Sequence, residues 1–292
     1  MTYDALVIGA GPAGATAALV LARAGWSVAI VEKSRFPRRK VCGEFISATS
    51  LPALRELGLE QTFLERAGPE IRRVGFFARE TCLAAPMPQA ANALGWGRAL
   101  GREQLDLLLL QAAAQAGAEV WQPWRVSSLR SDSEGYGCTI TAKDMSRDLS
   151  ARVIIAANGS WERGPVEGPA RAHKPSDLIA FKAHFRNCDL PADLMPLLVF
   201  PGGYGGMVHS DGGRVSLSCC IRRDALMRWR AQQPGGSAAE AVAAHIAQSC
   251  LGVRQALRHA QVDDAWLSAG PIRPGIRKRY ADGLFFIGNI AG

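Results

Sequence analysis

The sequence lacks any apolar run approaching the ~18 residues needed to span a bilayer as a helix. It has no C-x-x-C pair, and its seven cysteines are odd in number and scattered. That pattern argues against a disulfide framework or a zinc site and for reduced thiols. The five histidines show neither metal-ligand spacing nor a nucleophile partner, so no metal is expected. Strand-forming residues begin at Tyr3, which leaves no room for a signal peptide, and a cytoplasmic location is expected. Internal repeats, low-complexity stretches and long linkers are also missing.

Acidic residues are the minority, 26 against 34 Lys and Arg, for a net charge of +8. The basic clusters are Arg35 to Lys40 (RFPRRK) and Arg273 to Arg279 (RPGIRKR). They suit either an anionic partner, such as a phosphorylated or acyl-carrier-bound substrate or an anionic membrane surface touched peripherally, or simply a solvated surface that also offsets the phosphates of a bound nucleotide. The solvated surface is the simpler account. Aromatics are few (7%) and do not interleave with either cluster, which argues against nucleic-acid binding.

What is present is an ordinary globular composition, 48% hydrophobic and 21% charged over 292 residues. Such a chain makes one large domain or two interwoven ones and buries about 75% of its unfolded surface. Its most informative stretch runs from Tyr3 to Glu32. The apolar run Ala5-Leu6-Val7-Ile8 is followed by Gly9, Gly11 and Gly14 spaced G-x-G-x-x-G. An alanine-rich segment, Ala13 to Ala24, is closed by Gly25, and Val28-Ala29-Ile30-Val31 then leads to Glu32. Strand, tight turn, helix, strand and acid within about 30 residues are what a dinucleotide-binding βαβ unit requires. Gly9 permits the turn, Gly11 lets the backbone approach a pyrophosphate, and Gly14 lets the helix pack on the sheet. The helix N-terminus offers free N–H groups to the phosphates, and Glu32 can accept from ribose hydroxyls.

Further along, two short helices broken at Gly58 are predicted between Leu51 and Ala67, a strand over Ile71 to Ala78, and a loop over Thr81 to Gly95. A helix opens at Gly101-Arg102 and stops at Gly117, with Leu105, Leu108, Leu109 and Ala112 on one face. Strands follow at Glu119–Trp121, Arg125–Leu129, Tyr136–Ala142 and Ala151–Ala157, the last ending in Asn158-Gly159-Ser160. Phe181, Ala183 and Phe185 alternate with Lys182, His184 and Arg186, and Val215, Leu217, Cys219 and Ile221 alternate with Ser216, Ser218 and Cys220. Antiparallel strands with one covered face are the simplest account. Helices are predicted at Asp224–Trp229, Ala238–Ser249 and Val253–His259, and a last buried strand at Leu284–Ile287 leads into Gly288-Asn289.

With these motifs in place, the chain resembles the two-domain FAD-dependent oxidoreductases of the p-hydroxybenzoate-hydroxylase fold, and within them the geranylgeranyl-reductase-like and FAD-dependent monooxygenase branch. The resemblance rests on Gly9 to Gly14 with Glu32, Cys42-Gly43-Glu44, Gly101-Arg102, Ile155 to Gly159 and Phe286 to Asn289. It implies an α/β fold: a Rossmann-like FAD-binding domain with a parallel sheet, interwoven with an α+β substrate domain on an antiparallel sheet. The expected boundaries are 1–70, 98–177 and 280–292 for the FAD-binding domain, and 71–97 and 178–279 for the substrate domain. The implied cofactor contacts are Gly9, Gly11, Pro12, Ala13 and Gly14, then Glu32 and Lys33, Cys42 and Gly43, Arg102 on the phosphates, an adenine backbone contact at Val126, Asn158, and Gly288 with Asn289. Asn289 stands where many relatives have Asp, and an amide can still bond a hydroxyl or phosphate. Asn158-Gly159 replaces the Asp-Gly of the aromatic hydroxylases, which bears on NAD(P)H as electron donor. The Trp-x-Trp-x-x-Pro signature of flavin halogenases is absent.

The resemblance implies one of two reactions on a small hydrophobic substrate. The first is hydroxylation of an aromatic or polyketide-type molecule, and the alternative is reduction of a carbon–carbon double bond in an isoprenoid-like one. A third reading is a truncated FAD-binding protein without turnover. Phe181, Phe185, Phe200, Tyr204, Val215, Leu217 and Cys219 are candidates for lining the substrate cavity, or are plain core. Cys42 and Tyr204 are the candidate proton donors, with a small buried hydrophobe and a pocket-shaping ring as their alternatives. In the family, the turn at Gly288-Asn289 starts a helix that faces the flavin, so a chain halting at Gly292 is expected to be a fragment with its isoalloxazine site incomplete.

Overall fold

The computed structural model describes residues 1–89, 95–159, 172–232, 235–277 and 279–292. Ser160 and Lys278, and residues 90–94 of the loop predicted over Thr81 to Gly95, lie outside the described residues. The chain divides into two compact units. One comprises Met1–Arg39, Arg102–Arg171 and Pro274–Gly292, and the other Lys40–Gly101 and Ala172–Arg273. These differ from the expected boundaries at 274–279, which joins the first unit, and at 172–177, 40–70 and 98–101, which join the second. For 40–70 and 98–101 the reason is hydrogen bonding: Gly68 N–H donates to Ala99 O, Ile71 N–H to Gly97 O, and Phe45–Ile46 pairs antiparallel with Arg98–Ala99.

The first unit is built on a sheet whose order is Tyr280–Ala281, Leu284–Phe286, Met145–Ala156, Thr2–Ile8, Val28–Val31 and Glu119–Trp121. The pairs around Thr2–Ile8 are parallel, and so is the pairing of Met145–Ala156 with Leu284–Phe286. Buried on both faces, these strands read as continuous apolar runs; Ala5, Leu6, Val7, Ala29, Ile30 and Ile154 are shielded from solvent. The strand predicted at Ala151 begins earlier, at Met145, because its first half pairs antiparallel with Gly135–Ala142, which in turn pairs with Arg125–Asp132. The helix Pro12–Arg23 has Gly11 as N-cap and Pro at its first turn, where a missing N–H costs nothing. It packs beside the helix Arg102–Gln115, whose Leu105, Leu108, Leu109, Ala112 and Ala113 are buried.

The second unit carries a sheet ordered Gln261–Val262, Leu178–Arg186, Val215–Arg222, Gly203–His209, Leu194–Phe200, Arg73–Ala78 and Thr81–Pro86, with Leu267–Ile272 also on Leu178–Arg186. All pairs are antiparallel except Leu194–Phe200 with Arg73–Ala78. Thr81–Pro86 is therefore a strand, not the predicted loop. It is an edge strand exposed along its whole length, so it shows no burial periodicity, and Pro86 sits at its end where proline is tolerated.

One sheet face packs on the helices Arg223–Gln232, Ala238–Ser249 and Leu251–Ala256. Phe181, Phe185, Phe200, Val215, Leu217 and Cys219 belong to that core with Val242, Ile246 and Val253. Six of the seven candidate cavity residues are thus plain core, and the seventh, Tyr204, is exposed. The expectation of a single covered face also fails: Lys182, His184 and Ser216, on the opposite face, are fully buried.

Candidate nucleotide-binding site

In the first unit the glycine turn takes the conformation its spacing predicts. Gly9 has a φ of +100°, and a Cβ there would lie 2.7 Å from Ala157 O. A Cβ on Gly14 would lie 1.9 Å from Gly9 O, so this glycine is dictated by packing. Gly11 is different. Its φ of −67° suits any residue, and the nearest atom to its Cβ position is an Arg102 guanidinium nitrogen at 3.8 Å. No neighbour in the fold requires a glycine there, and the open side faces a cation.

Arg102 is aimed by a residue that sequence reasoning passed over. Its Nε and Nη2 donate to the two carboxylate oxygens of Asp106 at 2.6 and 2.8 Å, one helical turn on. Asp106 is fully buried. The only signal in the sequence was an acid four residues after an arginine, a spacing that also describes ordinary surface pairs. Arg38 converges on the same place: its guanidinium lies 3.5 Å from Glu32 and 3.6 Å from Asp106, and over the Phe36 ring at 4.6 Å. Its Nε is buried with no hydrogen-bond partner among the described residues. Such an orphaned donor, beside a second arginine and an open glycine, fits an anion such as a pyrophosphate.

Glu32 sits at the end of its strand, as predicted. It is 5% exposed, and its oxygens accept from Ala10 N–H and Ser34 N–H, each at 2.9 Å. These bonds tie the acid to the glycine turn and leave lone pairs for further donors. The remaining predicted residues of this unit gather near it. Asn158 follows Ala157, which abuts Gly9. Gly288 has a φ of +66°, and its Cβ position is 2.9 Å from Ala13 Cβ. Asn289 belongs to the same single turn, Gly288–Ile290. Val126 is buried two residues past Trp124, whose N–H donates to Glu32 O at 2.8 Å. Lys33 directly follows Glu32.

Cys42 and Gly43 belong to the second unit. The Cys42 thiol is half-buried, and its Sγ accepts from Glu44 N–H at 3.4 Å. Tyr204 is exposed, and its hydroxyl is held above the ordinary tyrosine range first by the Cys220 thiol and then by partial burial. Glu44, which was not singled out as a candidate, is the centre of a buried polar cluster. Its carboxylate pairs with Lys182 Nζ and accepts from His184 Nε2 at 2.8 Å. Burial alone would raise its pKa, but the His184 hydrogen bond and the Lys182 charge reverse this and bring it to about 2.

A parallel sheet with a glycine turn, an acid and two converging arginines defines a dinucleotide-binding α/β protein. The chain belongs to the FAD binding domain family, whose model matches residues 2–288, and so to the FAD-dependent oxidoreductases. It is 27% identical over 299 residues to digeranylgeranylglycerophospholipid reductase 2 of Methanopyrus kandleri, covering 100% of this chain and 71% of that protein. It is 29% identical over 178 residues to menaquinone reductase of Mycobacterium tuberculosis, covering 57% of this chain and 43% of that one. Among solved structures, a myxobacterial chondrochloren halogenase superposes with a TM-score of 0.84 at 21% identity, over 99% of this chain and 68% of that chain. A geranylgeranyl bacteriochlorophyll reductase-like protein of Thermoplasma acidophilum does so at 0.69 and 20%, over 99% and 71%. At these identities the structural likeness speaks for the fold alone. Among the described residues, no helix is long and apolar enough to cross a membrane.

Proposed function

We propose that this chain is the FAD-carrying part of a reductase that saturates carbon–carbon double bonds in an isoprenoid-chain lipid. The observation that carries this reading is the match along its whole length to a reductase of a geranylgeranyl lipid. A second relative is also named a reductase, of menaquinone. The sequence alone puts hydroxylation first; the names of these two relatives support reduction instead.

Bound FAD would supply the hydride equivalent, and the protein supplies position, electrostatics and the exclusion of water. Arg102, oriented by Asp106, and Arg38 hold the phosphates with the N–H groups that follow Gly11. Pro12, Ala13 and Gly14 shape that turn. Glu32 and Lys33 serve the adenosine ribose, Val126 the adenine, and Asn158, Gly288 and Asn289 the ribityl-phosphate part. The first unit is the FAD-binding domain and the second the substrate domain, with NAD(P)H as electron donor. The helix-packed sheet face is filled by its own core, so the substrate lies elsewhere on the second unit.

The test uses protein reconstituted with FAD, reduced by dithionite and incubated without oxygen with a geranylgeranyl lipid. Mass spectrometry should find two hydrogens gained per double bond. A product carrying one added oxygen, formed only in air with NAD(P)H and an aromatic substrate, would replace this reading with hydroxylation. Absence of any product with FAD bound would leave a binding protein without turnover.

A further inference from the structure

Lys182 and His184 occupy alternate positions of the strand Leu178–Arg186 and so project from one sheet face. Ser218 and Ser216 stand directly opposite them on Val215–Arg222. The turn 42–44 lies over this face. A Cβ on Gly43 would be 3.6 Å from Ser218 Oγ, and the Glu44 carboxylate spans Lys182 and His184. Glu44 does this with a φ of +65°, a left-handed conformation uncommon for a residue with a Cβ. An ionised carboxylate only accepts hydrogen bonds, so the Nε2 of His184 is the donor to Glu44 and the proton on that nitrogen is fixed.

The other ring nitrogen is then the point of interest. His184 Nδ1 is buried and has no hydrogen-bond partner among the described residues, and the same holds for Ser216 Oγ. The two residues form one cross-strand pair and are 0% and 1% exposed. Two unpartnered polar atoms on a buried cross-strand pair are costly unless a third group joins them. In the ring form that carries its one proton on Nε2, Nδ1 offers a lone pair, and Ser216 both donates and accepts, so the group that fits carries an O–H.

We propose that His184 and Ser216 form a buried subsite for one neutral hydroxyl group, and that Glu44 acts as a positioning residue that holds the imidazole for this contact. The hydroxyl belongs either to a water molecule or to the alcohol end of a bound lipid. No turnover is needed for the site to fill, so it stands or falls independently of the reductase reading. Asp263 also stands beside this strand, where its backbone N–H donates to His184 O.

The experiment is a high-resolution crystal structure of the FAD-loaded full chain, with and without geraniol, alongside nitrogen NMR of its histidines. The His184 signals are assigned with His184→Gln. The expected result is an oxygen within hydrogen-bond distance of both His184 Nδ1 and Ser216 Oγ, with His184 in the Nε2-protonated form. Density in alcohol-free crystals identifies water, and density only with geraniol identifies the alcohol. Ser216→Ala should lose that oxygen, and Glu44→Gln should abolish the single tautomer. If Glu44→Gln fails to fold, Glu44→Gln with Lys182→Met removes the lone buried cation and is read instead. A direct His184–Ser216 bond with nothing between them, or a His184 protonated on Nδ1, overturns the proposal.

Discussion

Gly11→Val separates the binding role of the glycine turn from its folding role. The substitution places a branched side chain at a position whose backbone is already extended and whose Cβ meets nothing nearer than Arg102 at 3.8 Å. The fold itself should lose only about 1 kcal/mol, because valine is a poorer N-cap than glycine. The cofactor should lose much more. Charge-assisted hydrogen bonds are worth roughly 1.5–3 kcal/mol each, and a side chain in the path of the pyrophosphate forfeits at least two. That predicts FAD binding weakened by about a hundredfold or more, at 1.4 kcal/mol per factor of ten. Gly14→Ala is the opposite case. Its Cβ would lie 1.9 Å from Gly9 O, so the helix must move off the sheet. It should lower the melting temperature of the apoprotein, with about 1–3 kcal/mol of overpacking. Flavin fluorescence titration and thermal unfolding of the two apoproteins read the two effects. FAD affinity left intact by Gly11→Val would refute the placement of the pyrophosphate, and equal melting temperatures for Gly14→Ala and wild type would refute the packing argument.

The remaining predictions concern two charged clusters. Arg102→Ala should weaken FAD binding by about one to two orders of magnitude, read by calorimetric titration; an unchanged dissociation constant would reduce Arg102 to a helix-start residue held by Asp106. Glu44 should make acid unfolding steep. Its folded pKa of about 2 lies below its ordinary 4.5, so its stabilisation is complete above the unfolded value and is lost as pH falls from there towards 2. The loss is on the order of 3 kcal/mol. Urea unfolding from pH 7 down to 2.5 should show this loss shrinking in Glu44→Gln with Lys182→Met, in which neither charge remains. An identical pH slope in that double variant would show that the cluster does not govern acid stability.

Local signals made much of the first unit legible. The glycine turn, the two flanking apolar strands and Glu32 each carry their role within a few residues, so the βαβ unit could be read directly. Gly58, with a φ of +69°, and Gly117, with +104°, ended their helices as composition suggested. Asp106 was not legible as part of the site. An arginine and an acid four apart on a helix describe a surface pair as readily as a buried guanidinium clamp, and only the packing of the two helices excludes water from this one.

The second unit shows the reverse limit. The alternation in Leu178–Arg186 and Val215–Arg222 was correct as a strand signal and misleading as a burial signal. Period-two patterning reports which residues share a face and is silent on whether that face meets water. The cover over Lys182 and His184 comes from the turn 42–44, some 140 residues earlier in the chain, where Glu44 Oε2 meets His184 Nε2. No local pattern encodes such a pairing. Lys182, His184 and Ser216, which looked solvent-facing, are buried, and the phenylalanines that looked suited to a cavity fill the core beneath the helices. A lysine, a histidine and a glutamate buried together are costly to desolvate and are weak evidence for stability alone. The same cost makes the face of Lys182, His184 and Ser216 the part of this unit whose chemistry most needs an explanation beyond packing.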